Sequence, residues 1–300
     1  MRILVAGSTG QVAQSLVLRA RMSSHTVLAM GRPGFDLTDA ETISARLDEF
    51  QPDAIINAAA YTAVDAAETD EEHAHAVNSA GAGSLAAEAA RRSLPILHLS
   101  TDYVFDGTKA EAYDESDQVA PLGAYGRSKL AGERRVAAEN PQHLILRTAW
   151  VFSPFGSNFV KTMLRLAATR DEVGVVADQI GSPSYAPHIA DALLAMCDAL
   201  TVPSTLDAGD WGLYNIAGAC AASWADVAEE VFAVSRSIGG PVAIVKRITT
   251  QDYPTPAKRP ANSRLDCAKL SSGWNISLPD WRQGVFDCVK RLVNDAEKAI

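Results

Sequence analysis

The sequence predicts an α/β fold: a doubly wound parallel sheet of the Rossmann type, with a smaller C-terminal substrate domain. Short apolar runs of strand length alternate with helical segments through residue 150, as in a parallel sheet covered by helices on both faces. A glycine turn joins the first strand to the first helix, the context in which such turns bind dinucleotides. We therefore expect residues 1–150 to form a dinucleotide-binding domain, with strands near 172–177 and 212–217 returning to it. Residues 151–300 would form mainly the substrate-binding domain.

Composition and charge are those of a globular protein. The chain has 300 residues, of which 47% are hydrophobic and 21% charged, and its formal net charge is −9. The negative charge argues against nucleic acid or an anionic membrane as a partner. We expect a cytoplasmic location, because the first residues lead directly into a strand and no apolar run is long enough to span a bilayer. The four cysteines and six histidines show no metal-site spacing, so no metal is expected.

The turn after the first strand contains two glycines. Gly7 permits a tight turn, and Gly10 lets the backbone approach a pyrophosphate at the N-terminus of the following helix. Ala13 stands where a third glycine often lies, and its small side chain still allows close packing of helix and strand. The sequence thus predicts dinucleotide binding; an unliganded turn between strand and helix is the alternative.

The second strand, residues 26–30, is followed by Gly31 and Arg32 rather than by an acidic residue. A carboxylate here would hydrogen-bond the ribose 2′-hydroxyl of NAD and repel a 2′-phosphate, whereas an arginine binds the phosphate. The pattern therefore predicts NADPH as the cofactor, with NADH possible. A solvated loop arginine is the alternative. Asp36 and Leu37, in the loop that follows, are expected near the adenine end of the cofactor.

A tyrosine and a lysine at helical spacing indicate the chemistry. If residues 122–139 are helical, Tyr125 and Lys129 lie one turn apart on one face. Because a cation favours the phenolate, we expect Lys129 to lower the pKa of Tyr125 from about 10. Thr101 follows the apolar strand of residues 95–100 and should point into the crevice at the carboxyl end of the sheet. Together these residues predict proton transfer to a carbonyl oxygen. For the Tyr–Lys motif alone, a chance pair on a surface helix is the alternative.

Motifs spread over essentially the whole chain resemble the extended short-chain dehydrogenase/reductase family, and within it the dTDP-4-dehydrorhamnose reductases. The matching segments are Gly7-Ser-Thr-Gly-Gln-Val, Asn57-Ala-Ala-Ala-Tyr-Thr, Ser100-Thr-Asp-Tyr-Val-Phe, Tyr125-Gly-Arg-Ser-Lys, Arg147-Thr-Ala-Trp, Asn158-Phe-Val-Lys, Asp178-Gln-Ile-Gly-Ser-Pro and Arg259-Pro-Ala-Asn-Ser-Arg. The resemblance implies reduction of the C4 ketone of dTDP-4-dehydro-β-L-rhamnose by NADPH, the last step of dTDP-L-rhamnose synthesis. Gly31 departs from the family, which often has an acidic residue there, and this departure supports NADPH.

The resemblance also implies a catalytic set, a cofactor site and a substrate site. The catalytic set is Thr101, Tyr125 and Lys129. The cofactor site consists of Gly10, Gln11 and Val12 along the pyrophosphate, Asp36 and Leu37 near the adenosine, Ala60, Tyr61, Thr62 and Leu99 along the cofactor, and Tyr125 and Lys129 at the nicotinamide ribose. The substrate site consists of Thr101, Asp102 and Trp150.

Several roles stay open. Trp150 is expected to offer a flat apolar surface to the deoxysugar, with a core tryptophan as the alternative. Arg259, Lys258 and Lys161 could pair with the substrate diphosphate or brace the C-terminal half. Some relatives dimerise through a magnesium cluster that uses a glutamate early in the first helix. The corresponding Gln14-Ser15 has no carboxylate, so we expect a monomer or a weak homodimer.

Two alternative functions also remain. A nucleotide-sugar epimerase or dehydratase of the same family returns the hydride to its substrate and keeps NAD bound. Dehydratases tend to have a glutamate after the aspartate that follows the catalytic hydroxyl, whereas here Tyr103 follows Asp102, which favours a reductase. A non-catalytic regulatory subunit, similar to the methionine adenosyltransferase regulatory protein, is the second alternative.

Overall fold

The computed structural model describes residues 1–201 and 210–297. The strands of this part of the chain are β1 (Arg2–Ala6), β2 (Thr26–Met30), β3 (Ala54–Asn57), β4 (Ile96–Thr101), β5 (His143–Thr148), β6 (Val151–Phe152), β7 (Glu172–Val176), β8 (Ile180–Gly181), β9 (Ser184–Tyr185), β10 (Gly212–Asn215), β11 (Ala222–Ser223), β12 (Ile244–Ile248) and β13 (Asn262–Ser263).

The helices alternate with these strands. They are α1 (Gln11–Ala20), α2 (Ala40–Phe50), α3 (Val64–Ala67), α4 (Glu71–His75), α5 (Ala82–Arg91), α6 (Ala124–Glu139), α7 (Phe159–Ala167), α8 (Ala186–Leu200), α9 (Trp224–Ser237), α10 (Ala268–Trp274) and α11 (Trp281–Glu297). A π-helical turn, Ala76–Gly81, joins α4 to α5, and 3₁₀ turns are formed by Asp102–Val104 and Thr250–Asp252. Within the described residues, no helix has the length and apolar character needed to cross a bilayer.

The centre of the fold is a six-stranded parallel sheet in the order β10-β5-β4-β3-β1-β2. The strands nearest the middle are buried on both faces, and in β1 the side chains from Ile3 to Ala6 are inaccessible to solvent, as continuous apolar runs require. Helices cover both faces, which confirms the predicted doubly wound fold. The chain turns from one side of β1 to the other between β2 and β3, and ligands bind at the carboxyl ends of strands at such a switch point.

The two faces of the sheet have separate apolar cores. Leu16 of α1 and Leu193 of α8 pack against one face, together with Val5 and Leu97 of the sheet. On the other face, side chains of α2, α5 and α6 pack against Leu4 and neighbouring strand residues. Each of these helices therefore buries an apolar face against the sheet.

The second half of the chain builds a third core from α7, α9 and α11, which pack around the two-stranded sheet of β7 and β12. Helix α9 begins with a capping box: Ser223 Oγ accepts from Asp226 N at 3.1 Å, and Asp226 Oδ2 accepts from Ser223 N at 2.8 Å.

One predicted strand placement is right and one is wrong. β10 pairs with β5 and extends the central sheet, as expected for the strand near 212–217. β7, expected to return to that sheet, pairs instead with β12 in a separate sheet. β12 was not predicted, because its side chains are exposed or half-buried and include Lys246 and Arg247. The division into two domains at residue 150 stays a prediction.

Candidate active site

A cleft of about 970 Å³ opens at the carboxyl ends of the central strands. Gly10 lies there after β1, Ala58 after β3, Thr101 at the end of β4 and Thr148 at the end of β5. The second half of the chain closes the opposite side. Its lining residues include Asn158, Phe159, Thr162, Trp224 and Arg259. The cleft thus occupies the switch point at which a doubly wound sheet binds ligands.

The glycine turn leaves the start of α1 open to an anion. Gly7 has a positive φ of 101°, and a Cβ at this position would lie 3.2 Å from the backbone nitrogen of Ala59. Gly10 is the N-cap of α1; no side chain caps the helix, and its first turn contains no acidic residue. Amide N–H groups and the helix dipole favour negative charge at such a terminus. The turn therefore fits a pyrophosphate.

The side chain of Gln11 connects this turn to the segment after β5. Its Nε2 donates to Val151 O at 3.1 Å, and its Oε1 accepts from Ser153 Oγ at 2.9 Å and from Asn158 Nδ2 at 3.0 Å. Asn158 also caps α7, since its Oδ1 accepts from Lys161 N. Gln11 thus holds the two halves of the cleft together, a function that its place in a glycine motif did not reveal.

The predicted cofactor residues fall into two groups. Those that line the cleft are Gly10, Gln11, Val12, Ala60, Thr62, Leu99, Tyr125 and Lys129. Those outside its lining are Gly7, Arg32, Asp36, Leu37 and Tyr61.

Residues of the second group have other surroundings. Leu37 is buried in the core, where its backbone and Cβ lie against Gly81. Tyr61 packs edge to face on His73, with ring centroids 5.5 Å apart. Arg32 is exposed. Asp36 accepts hydrogen bonds from the Thr38 backbone and hydroxyl, and these bonds lower its pKa. Their roles toward a cofactor stay predictions.

Thr101, Tyr125 and Lys129 converge on the cleft, as expected from the sequence. Thr101 Oγ1 hydrogen-bonds the phenol of Tyr125, donates to Asp102 Oδ1 at 3.0 Å and accepts from Tyr103 N at 3.2 Å. The Nζ of Lys129 donates to Leu99 O at 2.7 Å. The proton-transfer groups therefore come from the end of β4 and the first two turns of α6.

Two glycines allow α6 to approach this closely. A Cβ at Gly126 would lie 2.2 Å from Tyr103 O, and one at Gly132 would lie 2.0 Å from Asn78 O. Any larger residue would push the helix away from the turn after β4 or from the π-helical turn. The glycine between Tyr125 and Lys129 in sequence is thus part of the reason that the two side chains reach the cleft.

Burial dominates the protonation of the site. It raises the pKa of Tyr125 to about 12, although the hydrogen bond with Thr101 works in the opposite direction. It lowers the pKa of Lys129 to about 8, against the effect of the Glu133 carboxylate. The expectation that Lys129 makes the phenol acidic is therefore wrong for this arrangement. Burial penalises the phenolate, and the Lys129 Nζ is directed at Leu99 O rather than at the phenol.

Asp102 is almost fully buried beside Thr101, with 2% of its surface exposed. Burial raises the pKa of its carboxyl to about 7, even though hydrogen bonds from Ser263 and Thr101 favour the carboxylate. An aspartate beside the reacting groups thus titrates near neutral pH.

Trp150 lies between two neighbours. Its ring stacks on Trp224 with centroids 3.6 Å apart and an interplanar angle of 6°. A Cβ at Gly181 would lie 2.3 Å from Trp150 Cε2, so the Gly181 backbone covers the ring as well. The flat face expected to be open to a sugar is covered here, although Trp150 still lines the cleft. Trp224 was not identified from sequence, because only the fold brings α9 against the end of β5.

Arg259 forms a bidentate ion pair with Asp65. The Nη1–Oδ1 and Nη2–Oδ2 distances are 2.7 and 2.8 Å, and Ala257 N also donates to Asp65. The bracing role left open by the sequence is therefore present, and Arg259 lines the cleft as well. Lys161 donates to Pro154 O at 3.3 Å, and Lys258 is exposed.

Known proteins resemble the chain over its length. Residues 1–294 match the family model described as the RmlD substrate binding domain. A curated dTDP-4-dehydrorhamnose reductase of Sinorhizobium fredii is 46% identical over 299 residues and covers all of both chains. That of Escherichia coli K12 is 39% identical over 302 residues, with 98% of each chain covered. The crystal structure of dTDP-4-dehydrorhamnose reductase from Bacillus anthracis in complex with NADP superimposes with a TM-score of 0.88 at 31% identity, covering 97% of this chain and 99% of that one.

Proposed function

The chain belongs to the RmlD substrate-binding domain family, and on this basis we propose that it is an NADPH-dependent dTDP-4-dehydrorhamnose reductase. The product would be dTDP-L-rhamnose, so the reaction is the last step of its synthesis. One observation carries the proposal: Thr101, Tyr125 and Lys129 lie in the same cleft as an uncapped helix N-terminus. Groups for proton transfer and for binding a pyrophosphate are thus within one site.

The residues present fit a dinucleotide. Gly10, Gln11 and Val12 would hold the pyrophosphate at the start of α1, where the backbone is free of capping side chains. Tyr125 and Lys129 would hold the nicotinamide ribose. When bound, NADPH supplies the hydride for C4 of the sugar.

The chain itself supplies the proton. With a pKa of about 12, Tyr125 is protonated at neutral pH and can donate to the oxygen of the C4 ketone as that oxygen becomes an alkoxide. Thr101 hydrogen-bonds the phenol and orients it toward the substrate. Lys129, with a pKa of about 8, is cationic at pH 7 and adds positive charge beside the developing anion. Donors prepositioned in this way stabilise the transition state by several kcal/mol.

A coupled assay tests the proposal. dTDP-4-dehydrorhamnose, generated in place, is mixed with NADPH and protein, and NADPH oxidation is compared with product formed. We expect one NADPH consumed per dTDP-rhamnose, and slower turnover with other 4-keto nucleotide sugars. Conversion without net NADPH oxidation would indicate an epimerase or dehydratase. No turnover, together with capture of a synthetase partner, would indicate the regulatory subunit.

Arg32 is expected to set the cofactor preference. Its exposed guanidinium follows β2, at the point where a 2′-phosphate lies in this fold. Arg32→Ala should lower kcat/KM for NADPH by about tenfold, the loss expected for one charge-assisted hydrogen bond at an exposed site. kcat/KM for NADH should be unchanged. Arg21→Ala, which removes another exposed arginine just after α1, is the control. A wild-type preference for NADH would contradict the assignment.

A further inference from the structure

A charged cluster is buried directly behind the proposed catalytic residues. Glu133 of α6 and Arg147 of β5 are 5% and 3% exposed. Their bidentate ion pair has Nε–Oε1 and Nη2–Oε2 distances of 2.9 and 2.7 Å. The hydroxyl of Ser100, itself 4% exposed, donates to Glu133 Oε1. Burying two charges costs desolvation that their attraction only partly recovers, so such a pair is weak evidence for a stabilising role.

The cluster joins the three elements that carry the proposed chemistry. Ser100 immediately precedes Thr101 on β4, and in the sheet register it is the partner of Arg147 on β5. Glu133 lies one helical turn beyond Lys129 on α6. The Arg147 guanidinium also lies 5.0 Å above the ring of Phe105, in the segment that follows Thr101. Ser100 lines the cleft beside Thr101, whereas Glu133 and Arg147 lie behind it and are not part of its lining.

Glu133 is also the carboxylate that counteracts the desolvation of Lys129. Burial alone would favour the neutral amine, and the Glu133 charge raises the Lys129 pKa against this effect. Other ionisable groups surround the ammonium. Tyr125 and Asp102 line the same cleft as Lys129, the Lys129 charge acts on His98 of β4, and Arg147 of β5 is paired with Glu133. His98 is buried, and burial lowers its pKa well below the usual range, so it contributes no charge at neutral pH. Asp102 titrates near 7 but lies on the Thr101 side.

From this geometry we infer that the Glu133–Arg147 pair is a positioning device: it keeps Lys129 protonated and holds β4, β5 and α6 in register at the cleft. The inference deepens the proposed function and rests on it for its catalytic meaning. Arg147 holds the Glu133 carboxylate in place through two hydrogen bonds, and the charge of Glu133 helps to keep Lys129 cationic. The two residues act through Lys129 and Thr101 and touch no reacting atom.

The test measures Lys129 directly. The full-length protein is labelled with ¹³C at lysine Cε, and the Lys129 resonance is identified by its loss in Lys129→Met. In Glu133→Gln, which keeps the side-chain shape, we expect the Lys129 titration midpoint to fall by about one pH unit, as for loss of a neighbouring opposite charge. In Arg147→Met the carboxylate stays without its counter-charge, so the midpoint should not fall. If the pair were purely structural, both substitutions would destabilise the protein to a similar extent and leave the Lys129 titration midpoint unchanged.

A kinetic readout accompanies the titration. In Glu133→Gln, the alkaline limb of the pH profile of kcat/KM for NADPH oxidation should move to lower pH by the same amount as the Lys129 midpoint. The control is Glu71→Gln, which breaks the exposed ion pair between Glu71 of α4 and Arg127 of α6. It should change neither the Lys129 midpoint nor the alkaline limb. If Glu133→Gln does not fold, the double variant Glu133→Leu/Arg147→Leu, which leaves no charge unpaired, replaces it and should also lower the midpoint.

The outcomes separate this inference from the proposed function. A Lys129 midpoint that is the same in wild type and in the folded Glu133 variant would overturn the inference. The other outcome is a Lys129 midpoint that falls in the Glu133 variant while the wild type reduces no 4-keto nucleotide sugar. This result would support the inferred role of the Glu133–Arg147 pair and contradict the reductase assignment, because the titration does not depend on turnover.

Discussion

Replacement of Tyr125 by phenylalanine is expected to lower kcat of the proposed reductase by about 10²- to 10⁴-fold, the range for loss of a positioned general acid. The phenol is protonated at neutral pH, because burial raises its pKa to about 12, so the wild-type residue is in the form that donates. Phenylalanine keeps the ring and its edge-to-face contact with Tyr103, whose centroid lies 5.8 Å away. The dissociation constant for NADPH, measured by fluorescence titration, should therefore stay close to that of the wild type.

A matched control separates lost chemistry from a lost buried hydroxyl. Tyr214→Phe makes the same change on β10 at the edge of the sheet, where the hydroxyl donates to Asp210 O at 2.9 Å. This residue does not line the cleft, so kcat should stay near the wild-type value. If Tyr125→Phe retains turnover within a few-fold of the Tyr214→Phe control, Tyr125 is not the proton donor.

The central sheet could be predicted because its strands are apolar on both faces. The run that forms β1 is apolar without interruption from Ile3 to Ala6, and a strand buried between two helical layers requires such a sequence. The glycine turn after β1 also indicated the direction of the chain in the sheet and the edge of the sheet at which a ligand binds. Local sequence was sufficient to predict an element wherever that element's own apolar residues require it to be buried.

The C-terminal half was harder to predict, because its elements depend on partners distant in sequence. β12 is a strand only because β7 offers it a hydrogen-bonding edge, 72 residues earlier for the Ile244–Glu172 pair. Trp224 reaches Trp150 only through the packing of α9 beside the cleft. Propensity and spacing carry no information about such pairings.

Electrostatics was the least predictable property of the site. The four-residue spacing of Tyr125 and Lys129 correctly placed both side chains in one cleft, but spacing does not reveal burial or the direction of the ammonium. In the structure the Lys129 Nζ donates to Leu99 O, and the Glu133 charge acts on it. Burial therefore decides the direction of both shifts: it raises the pKa of Tyr125 and lowers that of Lys129. Asp102 shows the same limitation: next to Thr101 in sequence, it gave no sign of a carboxyl that titrates near neutral pH.

That carboxyl should make the stability of the protein depend on pH in an unusual direction. The pKa of Asp102 rises from 3.8 to about 7 on folding, so the native state binds this proton more tightly than the unfolded chain. A group with a raised native pKa contributes stability that is fully present below its unfolded pKa and is lost as pH rises through its native value. Between pH 5 and 7 each pH unit removes up to about 1.4 kcal/mol.

Asp102→Asn should abolish this loss, since the amide stays neutral at every pH. We expect the free energy of unfolding of the variant, relative to wild type, to increase by about 2–3 kcal/mol between pH 5 and pH 8, measured by urea denaturation. Asp106→Asn is the control: hydrogen bonds from Thr108 lower the Asp106 pKa, so this carboxyl titrates below pH 5 and the difference from wild type should be flat across the same window. An Asp102→Asn difference that is equally flat would mean that the buried carboxyl is already ionised at pH 5. Thr101 would then lie beside a permanent negative charge, and proton donation by Tyr125 to a developing alkoxide would have to overcome that charge at every pH at which the protein is folded.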